Sequence, residues 1–391
     1  MLFIKQAVLC LISPLHLPRR FATWWILKNH ILKRVGEIYK RTSMKDLLKI
    51  RIKALLLIAI LLLSVVGGLS AKKIAIIDAG SSGSRLYVYD IDDATKNLTV
   101  VYPITPTDKV ASKGIALSNV AVTADAVDGF LNTMAGKYSG KVGEEIDLYV
   151  LATAGMRTKS DKIYQYMSTN KIYGCLKLVC AMTISGKYEG LYAWIATNYK
   201  NNKLIWNSGS WSLTNPYGIL EIGGASMQIA YRVSSVQPDN CIMHNQFGII
   251  YAKSYLGGGA DLVYEENKVQ QKTNFGVLLA ANLVGLNLGS IIFVGLGKPI
   301  ENAFKNAGGE TCTLLDRYGN NNPQSDLQDQ YHSKMNARYI AYVLGKWKLD
   351  GKFVQSSVKV VESDWTEGAA LDIVVNNQRP EAFNYDRTNP N

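Results

Sequence analysis

The stretch from Ile74 to Ile91, IAIIDAGSSGSRLYVYDI, constrains the fold of this chain more than any other. Apolar residues lead into Asp78, small residues follow from Ala79 to Ser84, and an alternating run resumes after Arg85. That order predicts a β-hairpin with a Gly/Ser tip and a carboxylate at the end of its first strand. Gly80 and Gly83 let backbone N–H groups approach an anion, and Ser81, Ser82 and Ser84 add hydroxyl donors, so the tip suits phosphate. Asp78 repels phosphate but can hold a hydrated metal ion that binds it. The pattern recurs at Tyr217–Val233, YGILEIGGASMQIAYRV, where Glu221 takes the place of Asp78 and Gly223 that of Gly80. Two such hairpins facing each other would clamp a polyphosphate between two lobes.

The chain has 391 residues, which favours more than one domain, and 48% of them are apolar, enough for a sizeable core. Its formal charge of +12 suggests nucleic acid at first sight. The excess is local: residues 1–71 carry 12 Lys/Arg against Glu37 and Asp46, and the remainder is close to balanced. Nucleic acid is therefore not expected as a partner. Within the leader, Lys45, Lys49, Arg51 and Lys53 precede an apolar run at Ala54–Leu69, and small residues follow it. This is the order of a secretory signal peptide over 44–71, with Met44 as initiator, cleavage after Ala71 and 1–43 an unused upstream extension. The run is short for a membrane span, although a retained anchor with the remainder outside the cytoplasm is the alternative. A secreted or periplasmic location follows, without stable membrane contact once the signal is removed. In such a compartment Cys175, Cys180, Cys241 and Cys312 are expected to form two disulfides. Cys175–Cys180 with Cys241–Cys312 is the pairing of least chain closure among three. Asn97-Leu98-Thr99 matches a glycosylation acceptor.

Periodicity predicts helices at Val122–Tyr138, Asp161–Thr169 (capped by Ser160), Tyr188–Tyr199, Asp261–Glu266, Val277–Leu288, Asn336–Trp347 and Trp365–Val374. Strands are predicted at Ile146–Ala152, Leu176–Ile184, Phe247–Tyr255, Ser290–Val294 and Val358–Val361, with a loose tail after Asn376. His244 and His332 lie in poor contexts for catalysis and read as structural or exposed. Trp194 and Trp365 read as packing residues.

Five segments together are similar to the nucleoside triphosphate diphosphohydrolase (apyrase) family, within the superfamily of actin, Hsp70 and hexokinase. They are Asp78–Arg85 (DAGSSGSR), Ala152–Arg157 (ATAGMR), Ser185–Trp194 (SGKYEGLYAW) continuing to Asn198-Tyr199, Glu221–Gln228 (EIGGASMQ) and Trp365–Ala369 (WTEGA). They occur in family order and span nearly all of the chain beyond the leader. The resemblance implies an α/β fold of two RNase H-like, actin-like lobes, each a mixed sheet flanked by helices, with the active site in the cleft. The lobes would comprise residues 72–184 and 185–364, with 365–391 a C-terminal helix and tail packing back on the first lobe.

The resemblance also implies roles. Glu189 would be the catalytic base, although on local sequence alone it serves equally as a first-turn acid favoured by the helix dipole. Ser226 and Gln228 would fix the attacking water. Asp78 and Glu221 would hold Mg²⁺ or Ca²⁺, largely through water. Gly80, Ser81, Ser82, Gly83, Ser84 and Arg85 of the first tip, Thr153 and Arg157, and Gly223, Gly224 and Ala225 of the second tip would bind phosphates. The family usually has Asp where this chain has Glu221, which points to a shifted metal preference. The expected activity is divalent-metal-dependent removal of terminal phosphates from ATP, ADP and other nucleoside tri- and diphosphates, with direct attack by water. Hydrolysis of polyphosphate or an alarmone, and a slow nucleotide-binding switch like actin and Hsp70, are the competing expectations.

Overall fold

The computed structural model describes residues 71–262, 291–300, 339–340, 343–344 and 364–384, apart from 142, 208, 236–239, 261 and 298. The leader up to residue 70, the predicted helix at Val277–Leu288, the strand at Val358–Val361, most of Asn336–Trp347, Cys312 and His332 lie outside the described residues.

The first sheet is built from β1 (Ala71–Gly80), β2 (Gly83–Asp92), β3 (Leu98–Tyr102), β4 (Lys113–Gly114), β5 (Ile146–Ala152), β6 (Ile172–Tyr173) and β7 (Leu176–Thr183). Its order is β3-β2-β1-β5-β7-β6, with β4 against β2. β1–β2–β3 is an antiparallel meander, and β5 and β7 add in parallel. Both faces of β1 are buried, which explains its unbroken apolar run. Ala75, Ile77 and Ala79 point into a core shared with Leu131 and Met134, while Ile74 and Ile76 point into a second core. Leu131 and Met134 belong to helix α2 (Ala124–Ala135), which follows a shorter helix α1 (Pro106–Ala111) closed by a reciprocal Thr105/Asp108 capping box.

The second sheet repeats this plan. Beyond the hairpin of β8 (Leu204–Asn207) and β9 (Ser210–Leu213) come β10 (Gly218–Ile222), β11 (Ser226–Val233), β12 (Cys241–His244), β13 (Gly248–Leu256) and β14 (Phe293–Leu296). The order is β12-β13-β11-β10-β14, with β10–β11 antiparallel and β14 parallel to β10. Asp78 pairs with Arg85 across the first hairpin, and Glu221 pairs with Gln228 across the second. The repeated motif is thus a repeated strand pairing with the same spacing, and the duplicated α/β architecture is present.

Helix α4 (Gly186–Lys200) lies against the second sheet and is buried nearly all round. Helix α5 (Trp365–Val375) packs on α4 and also reaches β1 and β2. Gly368 sets the approach of the two helices: a Cβ there would lie 1.9 Å from the Tyr192 carbonyl oxygen. Trp194 is fully buried beside Phe247. His244 is structural, as expected. Its Nδ1 accepts the N–H groups of Gln246 and Phe247, so its Nε2 carries the proton and donates it to Asp372 of α5 at 2.8 Å.

Two expectations are corrected. Cys175 and Cys180 are not bonded to each other. Cys175 immediately precedes β7 and Cys180 lies within it, so extended backbone separates them by roughly 16 Å, far beyond disulfide reach. The companion Cys241–Cys312 pairing has one partner outside the described residues. The segment after Asn376 is not loose throughout: Ala382 forms a β-bridge with Ile184.

Candidate functional site

The two hairpin tips line one cavity of about 470 Å³. From the first hairpin come Asp78, Gly80, Ser81, Ser82, Arg85 and Tyr87; from the second come Glu221 through Ser226. The walls are completed by Thr153 and Ala154 at the start of α3 (Ala154–Arg157), Glu189 on α4, Gly297 and Pro299 beyond β14, and Asp364 and Trp365 at the start of α5. Close backbone packing fixes both tips. A Cβ on Gly155 would lie 2.6 Å from Ser81 Cα, and one on Gly259 would lie 2.3 Å from the Gly224 and Ala225 backbone. Only glycine leaves the tips in these positions.

Four of the predicted residues lie off the wall. Gly83 and Ser84 belong to β2, which resumes sooner than a long Gly/Ser loop would allow. Alternation then puts Arg85 and Tyr87 on the cavity face and turns Ser84 to the opposite face, where it is fully buried. Ser84 is therefore a packing residue in this structure. Arg157, expected at the phosphates, is also buried. Its Nη2 is ion-paired with Glu189 and its Nε donates to the Ile184 carbonyl at 3.1 Å. It stands behind the catalytic candidate because α3 turns away from the cavity after Ala154. Gln228 likewise lies one layer back: its Nε2 donates to Ser226 Oγ at 2.6 Å and to Ser254 Oγ at 3.3 Å. Ser226 alone of that pair reaches the wall.

Several wall residues escaped the sequence reading. Tyr87 was legible in principle, being two residues from Arg85 on one strand face. Asp364 carried a signal as well, since it directly precedes a helix and caps it by accepting from Thr366 N at 3.1 Å. Trp365 packs, stacked on Tyr192 at 6.4 Å, but its exposed edge also forms wall. Ser254, behind Gln228, has no local signal.

Four carboxylates thus meet in one place: Asp78, Glu189, Glu221 and Asp364. Arg85 Nη1 lies 3.7 Å from Asp78, and Arg157 faces Glu189. Burial drives the Asp78 carboxyl well above the ordinary carboxylate range; Asp364 and Glu189 add to the rise, and Arg85 opposes it. Burial likewise drives Glu221 up, with Glu189, Asp364 and Asp78 adding and Arg157 opposing. Asp78 Oδ1 and Glu221 Oε2 are buried with no hydrogen-bond partner among the described residues. Crowded anions of this kind are relieved by protons or by a cation. Hard carboxylate oxygens fit Mg²⁺ or Ca²⁺. Among the described residues no three His, Cys, Asp or Glu side chains converge closely enough to ligate one ion directly. Asp78 and Glu221 fit a cation whose remaining ligands are water and substrate oxygens.

Known proteins resemble part of this chain. The family model described as GDA1/CD39 (nucleoside phosphatase) matches residues 70–275, which contain both hairpins, Thr153 and Glu189. The nucleoside-diphosphatase mig-23 of Caenorhabditis briggsae is 30% identical over 187 residues, covering 42% of this chain and 33% of that protein. The nucleoside-triphosphatase ntp-1 of Caenorhabditis elegans is 30% identical over 215 residues, covering 51% and 35%. Ectonucleoside triphosphate diphosphohydrolase 1 of Bos taurus is 28% identical over 211 residues, covering 48% and 40%. The chain thus spans between a third and two-fifths of the length of these curated relatives. Among solved structures, a Ppx/GppA family member from Aquifex aeolicus superposes with a TM-score of 0.45 at 14% identity, covering 79% of this chain and all of that one. Since the family model matches more than half of the chain and includes both halves of the duplicated site, the chain belongs to the GDA1/CD39 (nucleoside phosphatase) family.

Proposed function

We propose that this chain hydrolyses terminal phosphates of nucleoside tri- and diphosphates in the cavity between its two hairpins, with a divalent cation. One observation carries the reading: two equally spaced hairpins, Asp78–Arg85 and Glu221–Gln228, place Gly/Ser tips on the walls of one cavity that Glu189 also lines. The tip amides and the Ser81 and Ser82 hydroxyls bind phosphate oxygens, and Arg85 and Thr153 add donors. Ser226, oriented by Gln228, positions a water for in-line attack. Glu189 accepts that water's proton, and Arg157 holds the carboxylate in place. A divalent cation held through Asp78 and Glu221 supplies charge neutralisation for the phosphate oxygens. Phosphate release from ATP, ADP and inorganic polyphosphate, measured side by side with and without a chelator, tests the reading. Cation-dependent release from both nucleotides is expected; release from polyphosphate alone would replace the substrate assignment.

The reading includes export, because residues 44–71 carry the order of a signal peptide. N-terminal sequencing of chain recovered from outside the cytoplasm is expected to begin at Lys72. Retention of residues 54–69 on a membrane-bound form would favour the anchor instead.

A further inference from the structure

A backbone contact lies on the outer side of the junction between β7 and α4. There the segment Glu381–Phe383 runs antiparallel to Thr183–Ser185. Ser185 N donates to the Glu381 carbonyl at 3.0 Å, Phe383 N donates to the Thr183 carbonyl at 2.7 Å, and Ile184 and Ala382 face each other between these bonds. The three residues gripped in this way aim the proposed catalytic pair. Ser185 is the N-cap of α4 and makes no side-chain capping bond. Its carbonyl instead receives the N–H of Glu189 at 3.1 Å. The Ile184 carbonyl receives Arg157 Nε at 3.1 Å, and Ile184 N donates to Ala152 just ahead of Thr153. One residue therefore separates the tail from the backbone of Glu189, and one separates it from the guanidinium of Arg157. The tail leaves α5, whose first turn carries Asp364 and Trp365 on the cavity wall, so one C-terminal element touches the site from two sides.

We infer that Glu381–Phe383 is a positioning element for Glu189, fixing through its backbone pairing the β7–α4 junction from which Glu189 and Arg157 are both oriented. The inference rests on the role proposed for Glu189. Proline at 383 removes the N–H that bonds Thr183. Proline at 382 removes no bond in this pairing, because the Ala382 N–H points away from β7 and the residue is exposed. Alanine at 383 keeps the N–H and removes the ring.

Phe383→Pro is expected to lower kcat roughly 10- to 100-fold, the order of loss that slight misplacement of a catalytic group produces, with KM changed by less than about threefold. A merely structural loss would lower the folded fraction, read by circular dichroism and thermal unfolding, without lowering kcat per folded molecule. Ala382→Pro and Phe383→Ala should stay close to wild type in both respects. Should Phe383→Pro not fold, Ala382→Gly, which loosens the same segment, carries the same expectation at about threefold in kcat. Wild-type kcat per folded molecule in the pairing-disrupted variant, or an equal loss in Phe383→Ala, would overturn the inference. Glu189→Gln separates the two claims: if it is inactive while Phe383→Pro is unaffected, the positioning role alone fails, and if it is active, the proposed function fails first.

Discussion

Replacing Glu189 by glutamine is expected to lower steady-state phosphate release about 100- to 10,000-fold, the usual contribution of a positioned general base. Glutamine keeps an acceptor oxygen for Arg157 and cannot take a proton from water. The choice of residue matters because the Arg157 side chain is only 1% exposed. Glu189→Ala should also stop turnover, but it leaves a buried guanidinium unpaired, at a cost of roughly 3–5 kcal/mol. The pair of variants therefore divides chemistry from stability. Both should be inactive, Glu189→Gln should unfold near the wild-type temperature, and Glu189→Ala should unfold well below it. Thermal unfolding beside the activity assay reads both. Equal melting with unequal activity would mean that Arg157 finds another partner.

The second large effect concerns the cation, and its sign changes with conditions. Asp78 is buried among carboxylates, so its folded-state pKa lies above the value in the unfolded chain. Such a group binds more protons folded than unfolded. Its stabilising contribution is complete below the unfolded value near 4, and it is lost as pH rises through the raised folded value. In metal-free protein at neutral pH, Asp78→Asn should therefore raise stability by roughly 0.5–2 kcal/mol, with the advantage vanishing toward acid. With Mg²⁺ or Ca²⁺ present the order reverses. The wild type gains about 2.7 kcal/mol at a hundred times its dissociation constant, and the gain grows with pH because the carboxylates must be ionised to bind. Asp78→Asn should lose about 10- to 100-fold in cation affinity and correspondingly in activity at limiting cation. Glu221→Gln should behave alike, since burial and the same neighbours raise it. Melting curves at pH 5 and pH 7, with and without cation, decide the matter. Cation stabilisation independent of pH and of Asp78 would place the ion elsewhere.

What the sequence made legible was what adjacent residues determine. The Asp78 and Glu221 hairpins announced themselves through alternation, a Gly/Ser tip and repetition, and β5 and α4 followed from apolar pattern and length. Element boundaries have local causes too: glycine and serine dominate the surroundings of Ser84 and read as loop, whereas two residues suffice to turn this hairpin. The larger misses are non-local. Arg157 and Glu189 stand 32 positions apart, and no pattern near either shows that the arginine faces the carboxylate rather than the phosphates. The pairing of Ile184 with Ala382 joins segments about 200 residues apart, so a polar tail read as loose. Cys175 and Cys180 are near neighbours in sequence, and the strand that runs between them keeps them apart in space. Asp364 lies one residue ahead of the Trp365–Ala369 segment, and its capping position and its cavity position are one fact.

The most direct test of the account is inorganic phosphate release from ATP by the purified chain and by Glu189→Gln, each with Mg²⁺ or Ca²⁺ and again after chelation. The account predicts sustained turnover in the wild type that chelation abolishes, and turnover at least about 100-fold slower in the variant. Sustained turnover by Glu189→Gln at the wild-type rate would contradict it.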